Sequence, residues 1–204
     1  MAKNTKGYLA HKMKNILILE GIASSGKTTL EKFLARSLPD SVVISEDATL
    51  MPIVDNADKD VAMAHLKKQL KTITDLLAKN VIVDRFHFTH AFRTRTALDV
   101  FSDIERGLQE MGIVIVILLT IDPKRIRERI EETALRRKDG WKKGAQGAIE
   151  DKVAYYKHQQ EVLLSLLSAS RLRNITIDTT EKAWGVYADA IINILRDDRP
   201  MSKA

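Results

Sequence analysis

Four apolar residues, Ile16-Leu17-Ile18-Leu19, run through Glu20 into Gly21-Ile22-Ala23-Ser24-Ser25-Gly26-Lys27-Thr28, and a stretch from Thr28 to Leu38 with apolar residues at helical spacing follows, closed by Pro39. The apolar run reads as a buried strand and the stretch behind the turn as a helix. Glycines at both ends of the turn let backbone N–H groups point inward, and the helix aims its positive end at the same place. The result is a cradle for an anion. Lys27 then reaches the β and γ phosphates of a nucleoside triphosphate, and Thr28 offers its hydroxyl to Mg²⁺. This is the P-loop pattern Gly-x4-Gly-Lys-Ser/Thr in its strand-to-helix context. It makes Gly21, Ser24, Ser25, Gly26, Lys27, Thr28 and Thr29 the expected phosphate-binding residues.

Behind this unit the chain repeats strand and helix. Ser41 to Ser45 reads as a short buried strand closing on Glu46-Asp47, and residues 49 to 58 read as loop. Asp58 to Lys79 carries Val61, Leu66, Leu70, Ile73, Leu76 and Leu77 at helical spacing, and the strand Val81-Ile82-Val83 follows, ending at Asp84. One helical stretch is expected from about Phe88 to Met111. Ile113 to Leu119 is the most apolar strand, and Asp122-Pro123 behind it reads as the N-cap and first-turn pair of an arginine-rich helix. A glycine- and lysine-rich break over Asp139 to Gly147 precedes a helix from about Ala148 to Ser168, a strand Asn174 to Ile177 and a helix Glu181 to Leu195.

Strands that are apolar throughout and alternate with helices predict an α/β, three-layer P-loop NTPase fold, with a mostly parallel five-stranded sheet and helices on both faces. Ligands in such sheets bind at the carboxyl ends of the strands, where Gly21, Glu46, Asp84 and Asp122 all fall. A chain of 204 residues, 45 % hydrophobic, can bury one full core. One domain is therefore expected over residues 13–196, with a polar, basic arm or appended extension at 1–12 and a solvated tail at 197–204.

The chain has no cysteine, which excludes a disulfide framework and a thiolate metal site and suits a reducing, cytoplasmic compartment. No apolar run approaches the roughly 20 residues of a membrane span, so no membrane partner is expected. Net charge +6 and a pI near 9.4 suit either nucleic acid or a polyanionic phosphate ligand. Aromatic residues make up only 5 % and no basic tract is interleaved with them, so nucleic acid is not the expected partner.

The chain resembles the P-loop kinases of the thymidylate kinase and deoxynucleoside kinase group. The matching residues are Ile18-Leu19-Glu20-Gly21 leading into Ser25-Gly26-Lys27-Thr28-Thr29, Asp84-Arg85-Phe86 after the third strand, Arg125-Ile126 with Arg129 after the fourth, and Ile177-Asp178 before the last helix. Together they span nearly the whole chain. The resemblance implies ATP as donor with Mg²⁺, a nucleoside monophosphate or nucleoside as acceptor, and possible homodimers. It also implies that Arg85 holds the acceptor or stabilises the moving phosphoryl group. Deoxynucleoside kinases place a Glu at the strand end where Glu46 stands, and a carboxylate there could take a proton from a hydroxyl acceptor. Their Glu-Pro pair and following Trp are absent, as are the P-loop Asp (here Ala23) and the Arg-Glu-Pro-Gly of thymidylate kinases.

Each candidate has a plainer reading beside it. Asp84 ends a strand expected beside the P-loop strand and could hold Mg²⁺ or a metal-bound water, or be a loop-start Asp. Glu46 is either a general base or an unspecialised strand-end acid. Arg125, Arg129 and Arg136 share roughly one helix face, usually a solvated one. Since Ile22 to Ser25 carry no cation, stabilisation of the transferring phosphoryl must come from elsewhere, which points to Arg129, Arg136 and Arg137. Gly140 and Gly144 suit either a lid over about 136–147 or a plain loop. His87 and His90, with Phe86, Phe88 and Phe92, either line an acceptor pocket or pack a helix.

The sequence is thus read as a Mg²⁺- and ATP-dependent small-molecule kinase with Lys27, Asp84, Arg85, Glu46, Arg129, Arg136 and Arg137 as its catalytic set and Thr28 and Asp84 as metal ligands. A kinase of another metabolite or an antibiotic, an ATPase without an acceptor, and a polynucleotide-end kinase are the competing readings.

Overall fold

A computed structural model describes residues 13–136 and 149–197; the arm at 1–12, Arg137, the glycine-rich break with most of the expected lid, and the tail beyond residue 197 lie outside the described residues. Five strands alternate with eight helices among these residues: β1 (Lys14–Gly21), α1 (Lys27–Ser37), β2 (Ser41–Ile44), α2 (Glu46–Thr49), α3 (Lys59–Asp75), β3 (Asn80–Asp84), α4 (His87–Thr94), α5 (Ser102–Met111), β4 (Gly112–Thr120), α6 (Ile126–Arg136), α7 (Ile149–Ala169), β5 (Arg173–Asp178) and α8 (Trp184–Asp197). All strand pairings are parallel, in the order β2-β3-β1-β4-β5.

Two-residue periodicity explains why the central strands are apolar throughout. Ile16 and Ile18 of β1 enter a core with Val81, Val83, Val116, Leu66, Phe88, Ile104 and Leu163, formed with α3, α4, α5 and α7. Leu17 and Leu19 point the other way, into a core with Ile82, Ile115, Ile117, Leu30, Leu34, Ala188 and Ile191, formed with α1 and α8. The central strands β1 and β3 are therefore buried on both faces, and each fully buried aliphatic side chain contributes about 1.5–3 kcal/mol. A third small cluster of Ile22, Ile121, Ile126 and Ile130 ties the turn after β1 to α6.

Several expected boundaries move. The stretch from Phe88 to Met111 is two helices: Arg95 adopts a left-handed conformation (φ 53°), Thr96 N–H donates to Ala91 O at 3.0 Å, and a short 3₁₀ turn, Leu98–Phe101, intervenes. Residues 49–58 hold the end of α2 and a 3₁₀ turn at Met51–Ile53 before the loop. Helix α3 stops at Asp75, and Leu77, placed on its apolar stripe by spacing, is 97 % exposed. Asp122 caps a turn rather than the helix: its Oδ1 accepts from Lys124 N–H at 2.8 Å, its carbonyl accepts from Arg125 N–H at 2.7 Å, and α6 begins only at Ile126.

Candidate active site

The turn between β1 and α1 is wound by three positive φ angles, 144° at Gly21, 65° at Ser24 and 93° at Gly26. A Cβ on Gly26 would stand 2.0 Å from Cη2 of Trp184, so the position excludes any side chain on both counts. Helix α1 starts at once with Lys27, which is buried and folds back to donate from Nζ to Gly21 O and Ile22 O, both at 3.0 Å. Burial, with the Arg85 guanidinium beside it, brings the Lys27 ammonium down from 10.5 to about 8. Thr28 and Thr29, one step further on, line the cleft in front of the loop.

Parallel pairing of β1 with β3 sets Asp84 opposite Leu19, at the foot of the turn. Its carboxyl is buried, which pushes its pKa up, while Lys27 and Arg85 oppose the shift. Arg85 follows in a left-handed conformation (φ 61°), which swings its side chain back across the loop. Its Nη1 donates to Gly21 O at 2.9 Å and its Nε to Glu46 Oε1 at 2.8 Å. Glu46 is 39 % exposed and opens α2. That helix is fixed at its far end: Thr49 Oγ1 donates to Asp84 O at 2.5 Å, and the imidazoles of His65 and His90 both hydrogen-bond Thr49 O at 3.0 Å. Burial brings the His90 imidazole down to about 4.

Three residues without a role in the sequence reading complete the loop's surroundings. Glu20, fully buried, accepts from the N–H groups of Phe86, Phe88 and Thr89 at 2.9–3.2 Å and from Thr89 Oγ1 at 2.5 Å, which fastens the start of α4 to β1. Its sequence signals are a charge at the end of an apolar strand and its place in the matching stretch Ile18-Leu19-Glu20-Gly21, neither of which shows what it holds. Thr179 Oγ1, just past β5, donates to Ser25 O at 2.8 Å and to Thr120 O at 2.9 Å. Trp184 covers Gly26 and lies beneath Arg129, whose Cζ is 5.8 Å from the ring centroid.

Arg129 is buried, with Nη2 donating to Ser24 O at 3.0 Å and Nη1 to Thr179 O at 3.3 Å. Arg125 does not share its surroundings: it is exposed and paired with Glu128. The side chain of Arg136 and all of Arg137 lie outside the described residues. Lys27, Asp84, Arg85, Glu46 and Arg129 do converge on the loop. Of the aromatic segment behind Arg85, Phe86 and Phe88 are buried in the core and His87 pairs with Glu105 at 3.2 Å, whereas Phe92 lines a neighbouring cavity. Arg93, Tyr155, Tyr156 and Gln159 also line the cleft, together with Trp184 and Lys182. The cleft encloses about 530 Å³.

Among the described residues, four buried side-chain polar atoms have no hydrogen-bond partner, and three of them, Ser24 Oγ, Ser25 Oγ and Asp84 Oδ1, belong to this loop and strand end. Such atoms cost roughly 1–3 kcal/mol each when left unpaired, so their concentration here marks a place that a polar ligand completes. No group of three or more His, Cys, Asp or Glu side chains among the described residues could hold a cation alone. Mg²⁺ needs no such cage, since one carboxylate, waters and the ligand's own phosphates suffice. The orphaned Asp84 oxygen and the Thr28 hydroxyl fit that ion.

The fold matches solved structures. The YorR protein from Bacillus subtilis, in complex with phosphorylated GDP, superposes with a TM-score of 0.66 at 18 % identity over 89 % of this chain and 95 % of that one. The fold is that of the P-loop kinases. Shikimate kinase from Acinetobacter baumannii matches with a TM-score of 0.55 at 18 % identity, covering 93 % of this chain and 96 % of its own. Thymidylate kinase from Candida albicans matches at 0.54 and 16 % identity, covering 91 % and 92 %. No protein-family model matches the chain, and no curated protein sequence does. No helix among the described residues is long and apolar enough to cross a membrane.

Proposed function

We propose that the chain is an ATP- and Mg²⁺-dependent phosphotransferase of the cytoplasm that passes the γ-phosphoryl group to a nucleoside monophosphate or nucleoside. The observation that carries this reading is the grouping of three orphaned buried oxygens, on Ser24, Ser25 and Asp84, around a buried Lys27 at a helix N-terminus. Thr28 and Asp84 would hold Mg²⁺, which when bound neutralises charge on the β and γ phosphates.

The chain's own residues do the rest. Loop amides and Lys27 bind the β and γ phosphates, with the Lys27 ammonium exchanging its two loop carbonyls for phosphate oxygens. Arg85 stands between loop and acceptor side, held by Gly21 O and Glu46, and its planar donor set faces charge moving from donor to acceptor. An ionised phosphate acceptor needs no base, and Glu46 then serves to orient Arg85. A hydroxyl acceptor gives its proton to Glu46. Gln159, Tyr155 and Tyr156 wall the acceptor side and help keep water out.

The test is ADP formation from ATP and Mg²⁺ across nucleosides, nucleoside monophosphates and unrelated hydroxyl compounds, with the product identified by mass. Stimulation by one acceptor, lost in Lys27→Ala, is the expected result. A Lys27→Ala protein with undiminished turnover would overturn the reading. Phosphorylation only of a non-nucleoside hydroxyl compound would select the second reading, a metabolite kinase, which the missing thymidylate and deoxynucleoside motifs around Ala23 and Glu46 favour.

A further inference from the structure

We propose that the acceptor is a nucleotide bearing a second phosphate, which extends past Arg93 into a neighbouring cavity and sets that phosphate against Arg95 and His158. This rests on the phosphotransfer reading above and adds the acceptor's class to it.

Space makes the first argument. Sites for one drug-sized ligand run to roughly 300–1,000 Å³, and the loop-side cleft, at about 530 Å³, holds one such molecule comfortably. Phosphotransfer in line requires donor and acceptor together. A second cavity of about 490 Å³ lies between α4 and α7, and Arg93 and Tyr155 line both. The two cavities are therefore neighbours, and an acceptor that reached past these residues would have nearly twice the room.

Chemistry makes the second. Tyr156 in the cleft, Tyr155 at the junction, and Phe92 and His158 beyond it form an unbroken line of rings, with successive centroids 5.4, 5.7 and 6.1 Å apart. Neighbouring rings meet edge to face or tilted, at 69°, 70° and 56°, so together with Leu166 they offer a planar, apolar group separate ring faces and edges to pack against. The same cavity is lined by Arg93, Arg95 and His158 and by no carboxylate. A nucleobase alone gives the far guanidinium nothing to pair with. A phosphate beyond the base or sugar does, since Arg binds phosphate through paired donors. Arg93 donates to Val54 O, which fixes it at the junction, whereas Arg95 is exposed at the far end.

Calorimetric titration of the whole protein, without ATP, with nucleoside 5′-monophosphates and 3′,5′-bisphosphates of the four common bases tests this. For the preferred base the second phosphate should tighten binding about tenfold at low salt. Arg95→Asn, which tolerates the left-handed turn, should abolish that gain and leave monophosphate affinity unchanged. Equal affinities in the wild type, a gain that survives Arg95→Asn, or no binding of either nucleotide would each overturn the proposal. ADP formation with the monophosphates, measured alongside, reports on phosphotransfer alone, so that reading stands or falls separately. Competition by a single-stranded dinucleotide at least as strong as the bisphosphate would overturn it in favour of a polynucleotide end.

Discussion

Binding of ATP should pull a proton onto Lys27. In the free protein the ammonium sits near pKa 8, against 10.5 ordinarily, because it is buried beside the Arg85 cation. The difference corresponds to about 3 kcal/mol of disfavoured charge. A bound triphosphate replaces that deficit with opposite charge and returns the pKa toward or above its ordinary value. At pH 9 the free site is then about one-tenth protonated and the complex almost fully so, so binding takes up about 0.9 proton. The apparent affinity should fall by about fivefold from pH 8 to 9 and by a little under tenfold from pH 9 to 10. Titration calorimetry at pH 9 in buffers of different ionisation enthalpy measures the uptake directly. Lys27→Met should abolish it, and at pH 7 wild-type uptake attributable to Lys27 should vanish. The same shift has a stability consequence of known sign. Its folded pKa lies below the unfolded one, so the unfolded chain binds the extra proton between 8 and 10.5 and the free protein gains stability as pH rises through that window. Lys27→Met should accordingly melt above the wild type at pH 7. No uptake at pH 9, or full uptake by Lys27→Met, would refute the buried-cation reasoning.

Gly26→Ala combines a left-handed backbone (φ 93°) with a contact of 2.0 Å to Trp184, so it should cost at least about 2 kcal/mol in urea unfolding and abolish ATP binding by calorimetry. Thr179→Val removes the bonds to Ser25 O and Thr120 O while keeping shape; stability should fall by about 1–2 kcal/mol and KM for ATP should rise severalfold with the acceptor KM unchanged. His90, at about 4, resists the proton its unfolded counterpart accepts below 6.5, so its stabilising share is full above pH 6.5 and is lost as pH falls through 4. The loss amounts to about 3 kcal/mol, and unfolding free energies at pH 7 and 4.5 should differ less in His90→Gln than in the wild type.

What could be read without coordinates was local or set by the sheet. The turn from Gly21 to Gly26 needs glycine geometry and a following helix, and both are written in adjacent residues. Asp84 could be placed beside the P-loop strand because strands buried on both faces have to lie centrally in a parallel sheet, and the register confirms it opposite Leu19. The break at Arg95 carries neither glycine nor proline, and an arginine in a left-handed turn gives no warning in sequence. Helical spacing put Arg125 and Arg129 on one face but could not tell that Glu128 would hold the first at the surface while Ser24 O drew the second inward. Aromatics behind Arg85 were equally ambiguous: Phe86 and Phe88 filled the core, Phe92 turned to a neighbouring cavity, and the rings in the cleft beside Arg85 include Tyr155 and Tyr156 of α7, seventy residues downstream. Glu20 and Thr179 act on partners 66–69 and 154 residues away, a separation no motif spans.

These distant partners share one physical task. The loop carbonyls of Gly21, Ile22, Ser24 and Ser25 each accept from a side chain: Lys27 of α1 on the first two, Arg85 after β3 again on Gly21, Arg129 of α6 on Ser24, and Thr179 after β5 on Ser25. Because peptide units are planar, a carbonyl drawn toward one side turns the amide N–H of the next residue toward the other. Four elements of the fold therefore hold the loop amides ready for phosphate before any arrives, and no reorganisation is needed when charge shifts during transfer. On the phosphotransfer reading Lys27 leaves its carbonyls for the β and γ phosphates, which releases the loop at Ile22, while Arg85 through Nη1, Arg129 and Thr179 still hold Gly21, Ser24 and Ser25. The loop stays anchored at three carbonyls while the Lys27 cation changes partners, because Arg85 and Arg129, also buried, keep theirs.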